Sequence, residues 1–374
     1  MIPAASPQLR FARFSAALDR AIRETLAGTS LILGERVEAF EQRFASYVGV
    51  PHCVGVNSGT DAVGLALRAC GVGRGEEVIT VSMTAAGTGM GILHADARPR
   101  FVDVDPVTRC IDPEAIEACI GPRTAAIVPV HLHGHLADMR RVMEIAERHG
   151  LVVVEDCAQA HGAAEATTGR RAGSFGTAAA FSFYPTKNLG CAGDGGAVVT
   201  RDTGVAQRLR ALRSYGWEDE RRLSTGLGFN SRLDELQAAV LDVMLDHLDD
   251  GNRERAGIAD EYRQVLSAAG EAAKITLPPA DPGAVHHQFA IEVADRDRLR
   301  RWLLERGIGT GIHYPVGLHE QPAFAATVPP GGLPVTERLA ERFLSPPIQP
   351  EVVGDRARWV AETIAEGAMQ CAAS

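Results

Sequence analysis

From about residue 52 the sequence alternates short apolar runs with longer stretches of helical spacing. That alternation restricts the chain to a sheet whose strands are joined by helical crossovers. The pattern predicts strands at 52–56, 76–81, 99–104, 124–131, 151–155, 178–184 and 196–200, with helices at 60–70, 112–120, 136–149, 203–213 and 232–249. Leu151-Val-Val-Val-Glu155 is apolar without alternation, as in a strand covered on both faces. Past the polar segment at 249–255 the character changes. Helical stretches at 256–268 and 295–306 enclose the strand-like run 286–293, and Pro-rich turns at 278–282, 328–334 and 346–350 interrupt the rest. The reading is α/β: a large domain over 1–250, with a helical N-terminal segment and a mostly parallel sheet covered by helices, then a smaller α+β domain over 251–374. No internal repeat or low-complexity linker is present, so the two parts are expected to pack against each other.

Composition narrows the function. With 38 Lys+Arg against 47 Asp+Glu, a formal net charge of −9 and no basic block, the chain lacks the concentrated positive field that nucleic acid or an anionic membrane requires. No apolar run reaches the roughly 18 to 20 residues of a bilayer span, and residues 1–20 mix charged and apolar side chains too evenly for a signal peptide, so a cytoplasmic protein is expected. The 7 cysteines are odd in number and never spaced C-x-x-C, which reads as small core residues rather than disulfides or a zinc site.

Three clusters carry chemistry. In Phe181-Ser-Phe-Tyr-Pro-Thr-Lys-Asn-Leu-Gly190, followed by Gly193-Asp-Gly-Gly196, a lysine lies just beyond a buried strand between Pro185 and a glycine-rich turn. Shielding there lowers an amine's pKa and favours imine chemistry, although the same residues suit an ordinary turn lysine. In Glu155-Asp-Cys-Ala-Gln-Ala-His-Gly162, Asp156 falls at the carboxyl end of the most apolar strand, where open α/β sheets bind ligands. A carboxylate there suits either a helix N-cap or the ring nitrogen of pyridoxal phosphate, which it would keep protonated. In Asn57-Ser-Gly-Thr-Asp-Ala62, Gly59 and Thr60 open a helix whose free N–H groups suit a phosphate or a simple cap. A dinucleotide fold fails, because no Gly-x-Gly-x-x-Gly or P-loop pattern appears.

Taken in order, NSGTDA, FVDVDP, VEDCAQAHGA, SFYPTKNLG, GDGGAVVT, GFNSRLDELQA and GTGIHYPVGLH resemble the DegT/DnrJ/EryC1/StrS family of nucleotide-sugar aminotransferases, of fold type I. The resemblance runs from Gly34-Glu-Arg-Val-Glu-Ala-Phe-Glu41 to Leu344-Ser-Pro-Pro-Ile348. It implies a pyridoxal phosphate enzyme passing through pyridoxamine phosphate, with Lys187 as Schiff-base lysine and general base. It further implies that Asp156 pairs with the ring nitrogen, Gln159 faces the ring hydroxyl and Ala158 lies against the ring, while Gly59, Thr60 and Ser182 hold the phosphate. Asn230 matches an asparagine that completes the phosphate site of a neighbouring subunit, so a homodimer with shared sites is expected. The substrates would be an amino acid such as L-glutamate and a nucleotide-linked keto-deoxysugar. Arg213-Ser-Tyr-Gly-Trp217 is more similar to members that aminate C3 of a dTDP-3-keto-6-deoxyhexose than to those acting at C4 of a 4-keto sugar. The intact lysine speaks against a dehydratase of the same family, and the intact Lys187, Asp156 and Gln159 against a non-catalytic regulatory protein.

Two departures stand out. Ser82-Met-Thr-Ala-Ala86 puts Ala85 where relatives often stack an aromatic ring on the cofactor, a contact worth about 0.5 to 1.5 kcal/mol. His131-Leu-His-Gly-His135 has histidines where relatives tend to have Tyr and Gln; an extended run would put them on one face, but polar lining is preferred to a metal site. His161, Tyr184, Tyr215, His313 and Tyr314 are candidate substrate contacts, the last two reaching from the small domain toward the partner's site. Arg213, Arg222 and Arg232 are candidates for the substrate diphosphate, whereas Asp103 and Asp105 read as turn residues without a catalytic role.

Overall fold

The computed structural model describes residues 1–218, 221–324, 328–329 and 331–372. Seven strands form one sheet: β1 His52–Val56, β2 Glu77–Val81, β3 Arg98–Val102, β4 Thr124–Val128, β5 Val152–Asp156, β6 Ala178–Ser182 and β7 Gly196–Thr200. Their spatial order is β1-β7-β6-β5-β4-β2-β3; β3 to β6 run parallel and β7 is antiparallel to both neighbours. All seven predicted strands are present. The run predicted to 131 stops at Val128, because Pro129 has no N–H to continue a ladder.

Helices α1 Pro7–Arg13, α2 Ser15–Leu26, α3 Glu35–Val48, α4 Gly59–Ala69, α5 Ala86–His94, α6 Pro113–Cys119, α7 Met139–His149, α8 Thr203–Leu212, α9 Glu235–Leu245 and α10 Leu248–Ala268 flank this sheet. The period-2 pleat sorts the strand residues. Ala178 and Ala180 of β6 join Val54, Leu65 and Val154 in one core layer, while Ala179 and Phe181 join Phe40, Phe44 and Leu241 in the other. Five of the seven cysteines are buried and all seven are unpaired.

Helix α5 escaped the sequence pattern because AGTGMGILH is poor in helix formers, each glycine costing roughly 1 kcal/mol relative to alanine. Packing explains its glycines: a Cβ on Gly91 would lie 2.6 Å from Val63 Cβ, so α4 and α5 approach at backbone range.

A second, three-stranded antiparallel sheet has the order β10-β9-β8, from β8 Ile275–Thr276, β9 Ile291–Val293 and β10 Phe343–Leu344. With α11 Arg296–Glu305, α13 Pro350–Val353 and α14 Ala357–Ala372 it encloses its own apolar core, whereas α12 Pro334–Arg342 packs Leu339 and Ala340 beside Ile79 of β2, Val102 of β3 and Val142 of α7. The boundary expected at 250/251 falls inside α10: Leu248 packs in the first core, whereas Ile258, Ala259, Tyr262 and Leu266 pack in the second. The helix predicted over 232–249 divides instead at Asp246 and His247. Only 291–293 of the run 286–293 is strand, because His286 takes φ 44 and the backbone of Val285 and Gln288 bonds to Gly134 and His133. The extreme N-terminus also crosses over, with Ile2 bridging to Ile308 and buried in the second core.

Arg213 serves this architecture. At the end of α8 it donates to Glu41 Oε1 of α3 at 2.5 Å and to Gly55 O at 2.9 Å, while Glu41 also accepts from Gly55 N at 2.7 Å. Arg213→Ala strands the Glu41 charge in a buried site, and should cost about 3 to 5 kcal/mol in urea unfolding, whereas the paired change Glu41→Leu with Arg213→Met should cost much less.

Candidate active site

Two neighbouring strand ends create the site. Parallel pairing sets Asp156 at the end of β5 opposite Ala180 of β6, and the chain leaves β6 two residues later to form the lysine loop. That loop is tightly closed: Phe183 N donates to Gly195 O, Cys191 N to Phe183 O and Lys187 N to Tyr184 O, each at 2.8 Å. Lys187 stands half-buried, and desolvation lowers its pKa to about 8 against an opposing pull from Asp156.

Asp156 is held from both sides. Its Oδ2 accepts from Thr88 Oγ1 of α5 at 2.7 Å, and its Oδ1 from Ala158 N at 3.1 Å. Thr84 and Thr88 share a 2.8 Å hydroxyl bond, so α5 orients the carboxylate. Sequence reasoning missed Thr88; its signal was two threonines four apart just past a buried strand.

Gln159 is equally constrained. Its Oε1 accepts from His133 N at 2.6 Å and its Nε2 donates to Tyr314 OH at 2.9 Å. Tyr314 therefore belongs to the same chain's site, which corrects the expected reach into a partner. His313 follows it: its carbonyl oxygen meets His133 Nε2 at 3.1 Å and its Nδ1 meets Ser345 Oγ at 3.0 Å.

The turn before α4 closes the floor. Ser58 caps the helix by accepting from Asp61 N at 3.1 Å, leaving first-turn N–H groups of Gly59 and Thr60 that the helix cannot use. A Cβ on Gly59 would lie 2.5 Å from Ser182 Cβ, so only glycine lets this helix start reach β6. Thr60 faces Gly87 of α5, whose added Cβ would lie 2.9 Å from Thr60 Oγ1. Ala158 and Ala85 are half-buried, the latter as the residue before α5.

The histidines surround Lys187 with neutral groups. His161 is buried against Phe181 and Phe183, with ring centroids 5.4 and 5.9 Å away, and burial together with Lys187 lowers its pKa to about 3. Burial and Lys187 likewise lower His313 to about 4, and hold His287 well below its usual range.

Other expected residues lie elsewhere. Arg213 is engaged by Glu41, so its place at the substrate diphosphate is withdrawn. Arg222 stacks over Trp217 at 5.3 Å and Arg232 over Tyr215 at 5.5 Å. Tyr184 and Tyr215 are exposed, and Asn230 is exposed beside Ser231, whose hydroxyl bonds Asn57 N and Asp61. Asp103 caps α12 through Val335 N and Thr336 N, and Asp105 closes a turn through Val107 N and Thr108 N.

The histidine run is not extended, because His133 adopts φ 60 within a short turn. His131 instead joins Glu155 and Cys157, with one ligand-type atom from each within 4.8 Å. Two of the three are already hydrogen-bonded within the chain. Glu155 accepts from His131 Nε2, Gly173 N, Phe175 N and Gly176 N, His131 Nδ1 accepts from Ala137 N, and burial holds the Cys157 thiol protonated.

Residues 14–365 match the DegT/DnrJ/EryC1/StrS aminotransferase family. The chain is 45% identical over 370 residues to the erythromycin biosynthesis sensory transduction protein EryC1 of Saccharopolyspora erythraea, covering 98% of this chain and 100% of that one. It is 45% identical over 369 residues to a dTDP-3-amino-3,4,6-trideoxy-alpha-D-glucose transaminase of Streptomyces venezuelae, covering 98% and 96%. A crystal structure of S. venezuelae DesV in complex with ketimine intermediate aligns with a TM-score of 0.93 at 45% identity over 98% of both chains.

In cofactor-free protein, competitive acylation read by mass spectrometry should half-label Lys187 at a pH of about 8. Asp156→Asn should lower that midpoint, because Asp156 favours the charged amine; an unchanged midpoint means the two groups do not interact.

Proposed function

The chain belongs to the DegT/DnrJ/EryC1/StrS aminotransferase family, and from that premise we propose that it transfers an amino group from L-glutamate to C3 of a dTDP-linked 3-keto-6-deoxyhexose. The observation that carries the reading is the Lys187 amine, weakened as a base by burial, set against an Asp156 carboxylate that α5 holds in one orientation.

The residues fit pyridoxal phosphate. The missing Cβ of Gly59 leaves a cradle against Ser182, where the Thr60 and Ser182 hydroxyls and the α4 N-terminus suit a phosphate. Asp156 suits the ring nitrogen, Gln159 keeps an N–H for the ring hydroxyl, Ala158 offers a flat contact and Lys187 an amine for the aldehyde. When bound, the cofactor supplies an electron sink that lets the carbon–hydrogen bond beside the transferred nitrogen break.

The chain's own residues do the rest. Lys187 Nζ takes the donor's α-proton and, in the return half-reaction, delivers one to sugar C3. Lowering its pKa from 10.5 to about 8 makes roughly one amine in ten neutral at pH 7, against roughly one in three thousand otherwise. Asp156 holds the ring-nitrogen proton. The neutral His161 and His313 add no competing charge beside Lys187.

A homodimer completes the reading. Exposed Leu31, Ile32, Tyr184, Tyr215, Leu223 and Leu227 offer apolar surface for a second copy, whose Asn230 would close the phosphate site. Tyr184, Tyr215, His161, His313 and Tyr314 remain proposed substrate contacts. The choice of C3 rests on the Arg213–Trp217 segment and on the likeness to the dTDP-3-amino-3,4,6-trideoxy-alpha-D-glucose transaminase of Streptomyces venezuelae. Seven unpaired cysteines fit a reducing cytoplasm, and among the described residues no helix is long and apolar enough to cross a membrane.

Purified protein should be yellow, bleach with glutamate and release 2-oxoglutarate. Lys187→Arg should abolish turnover and the long-wavelength absorbance together; retention of both refutes the assignment. Offered dTDP-3-keto and dTDP-4-keto sugars, the enzyme should aminate the former, and activity on the 4-keto compound alone overturns the C3 reading. Asn230→Asp should weaken cofactor retention about tenfold by setting a carboxylate against the phosphate, measured by equilibrium dialysis.

A further inference from the structure

Lys187 sits in a loop that is held from below by a residue far away in sequence. Arg10 of α1 donates from Nη1 to Lys187 O at 2.8 Å and Asn188 O at 3.0 Å, and from Nη2 to Pro185 O at 2.7 Å. Its guanidinium therefore grips the backbone on both sides of the lysine side chain. Gly190 makes room for it, since a Cβ there would lie 2.8 Å from Nη2 and 2.7 Å from Pro185 O.

Arg10 is buried, and its three hydrogen bonds all go to carbonyls; Glu351 and Cys191 favour its charge only through space. Desolvating a cation for carbonyl partners is costly, and an apolar side chain would fill the space without that cost. Three converging donors, however, hold a loop in one conformation.

The helix carrying Arg10 is itself anchored to the second core. Ser6 and Gln349 exchange two bonds of 2.9 Å, and Ile2 pairs with Gly307 and Gly309 at 2.7 Å. On the loop's other side, the Asn188 amide bonds Asn252 Oδ1 at 2.8 Å, Val285 O at 2.9 Å and His287 Nδ1 at 3.0 Å.

We propose that Arg10 is a positioning residue for Lys187, an N-terminal clamp that sets the depth of the amine in the cleft. The proposal rests on the reading of Lys187 as the cofactor lysine. The groups that face Lys187 are Asp156 from β5, His161 from the turn beyond it, and His287 and His313 from the loops of the second domain; the Arg10 charge also acts through space on His161, so the charge-conserving Arg10→Lys isolates the effect of position.

The test compares wild type, Arg10→Lys and Arg10→Ala. In cofactor-free protein the acylation midpoint of Lys187 should rise by about one pH unit in Arg10→Lys, as a loosened loop lets water reach the amine. In loaded enzyme kcat should fall about tenfold while the sugar KM stays within about twofold. Added guanidinium ion should return the Arg10→Ala midpoint toward wild type. A lower melting temperature with an unmoved midpoint and kcat would make Arg10 a structural staple and overturn the proposal. If Arg10→Ala does not fold, Arg10→Lys decides alone. Failure of the underlying reading shows separately, as wild-type Lys187 left unlabelled by pyridoxal phosphate and borohydride.

Discussion

The opposition of a carboxylate at the end of β5 and an amine in the loop that follows the neighbouring β6 organises this molecule. Asp156 favours the charged form of the Lys187 amine while the surrounding protein strips water from it, and the two effects act in opposite directions on its pKa. Burial wins, leaving a lysine that releases its proton near neutrality. An amine in open solvent would stay charged and unreactive. One buried without the carboxylate would be pushed lower still.

Much of the remaining structure keeps that pair in place. Thr88 fixes the carboxylate through α5, Arg10 fixes the lysine loop through α1, and Gly59 lets α4 start within contact of Ser182. Each contact comes from a different element, and all three elements lie far from the lysine in sequence. The buried histidines contribute by staying neutral, because burial near Lys187 disfavours a second positive charge.

Some polar clusters that invite a chemical reading prove architectural. Glu155 and His131 look like metal ligands by proximity, yet their acceptors are filled by backbone N–H groups. Arg213, one residue type suited to a diphosphate, instead neutralises Glu41 and ties α3 and β1 to the end of α8. In both cases the deciding fact is the identity of the hydrogen-bond partner, which local sequence does not contain.

Local pattern along the chain was enough to place the seven strands, the α/β class and the residue types at the lysine loop, the strand-end aspartate and the helix-start glycine. These depend on local periodicity and chain neighbours, which a linear text records. The tertiary structure alone decided that Thr88 and Arg10 converge on that site, that Arg213 does not, that Tyr314 serves its own chain's Gln159, and that α10 is shared by two cores. Glycine-rich α5 and the α1 clamp were illegible because their value lies in close packing against distant residues, and no propensity or period along the chain encodes what a side chain will meet after folding.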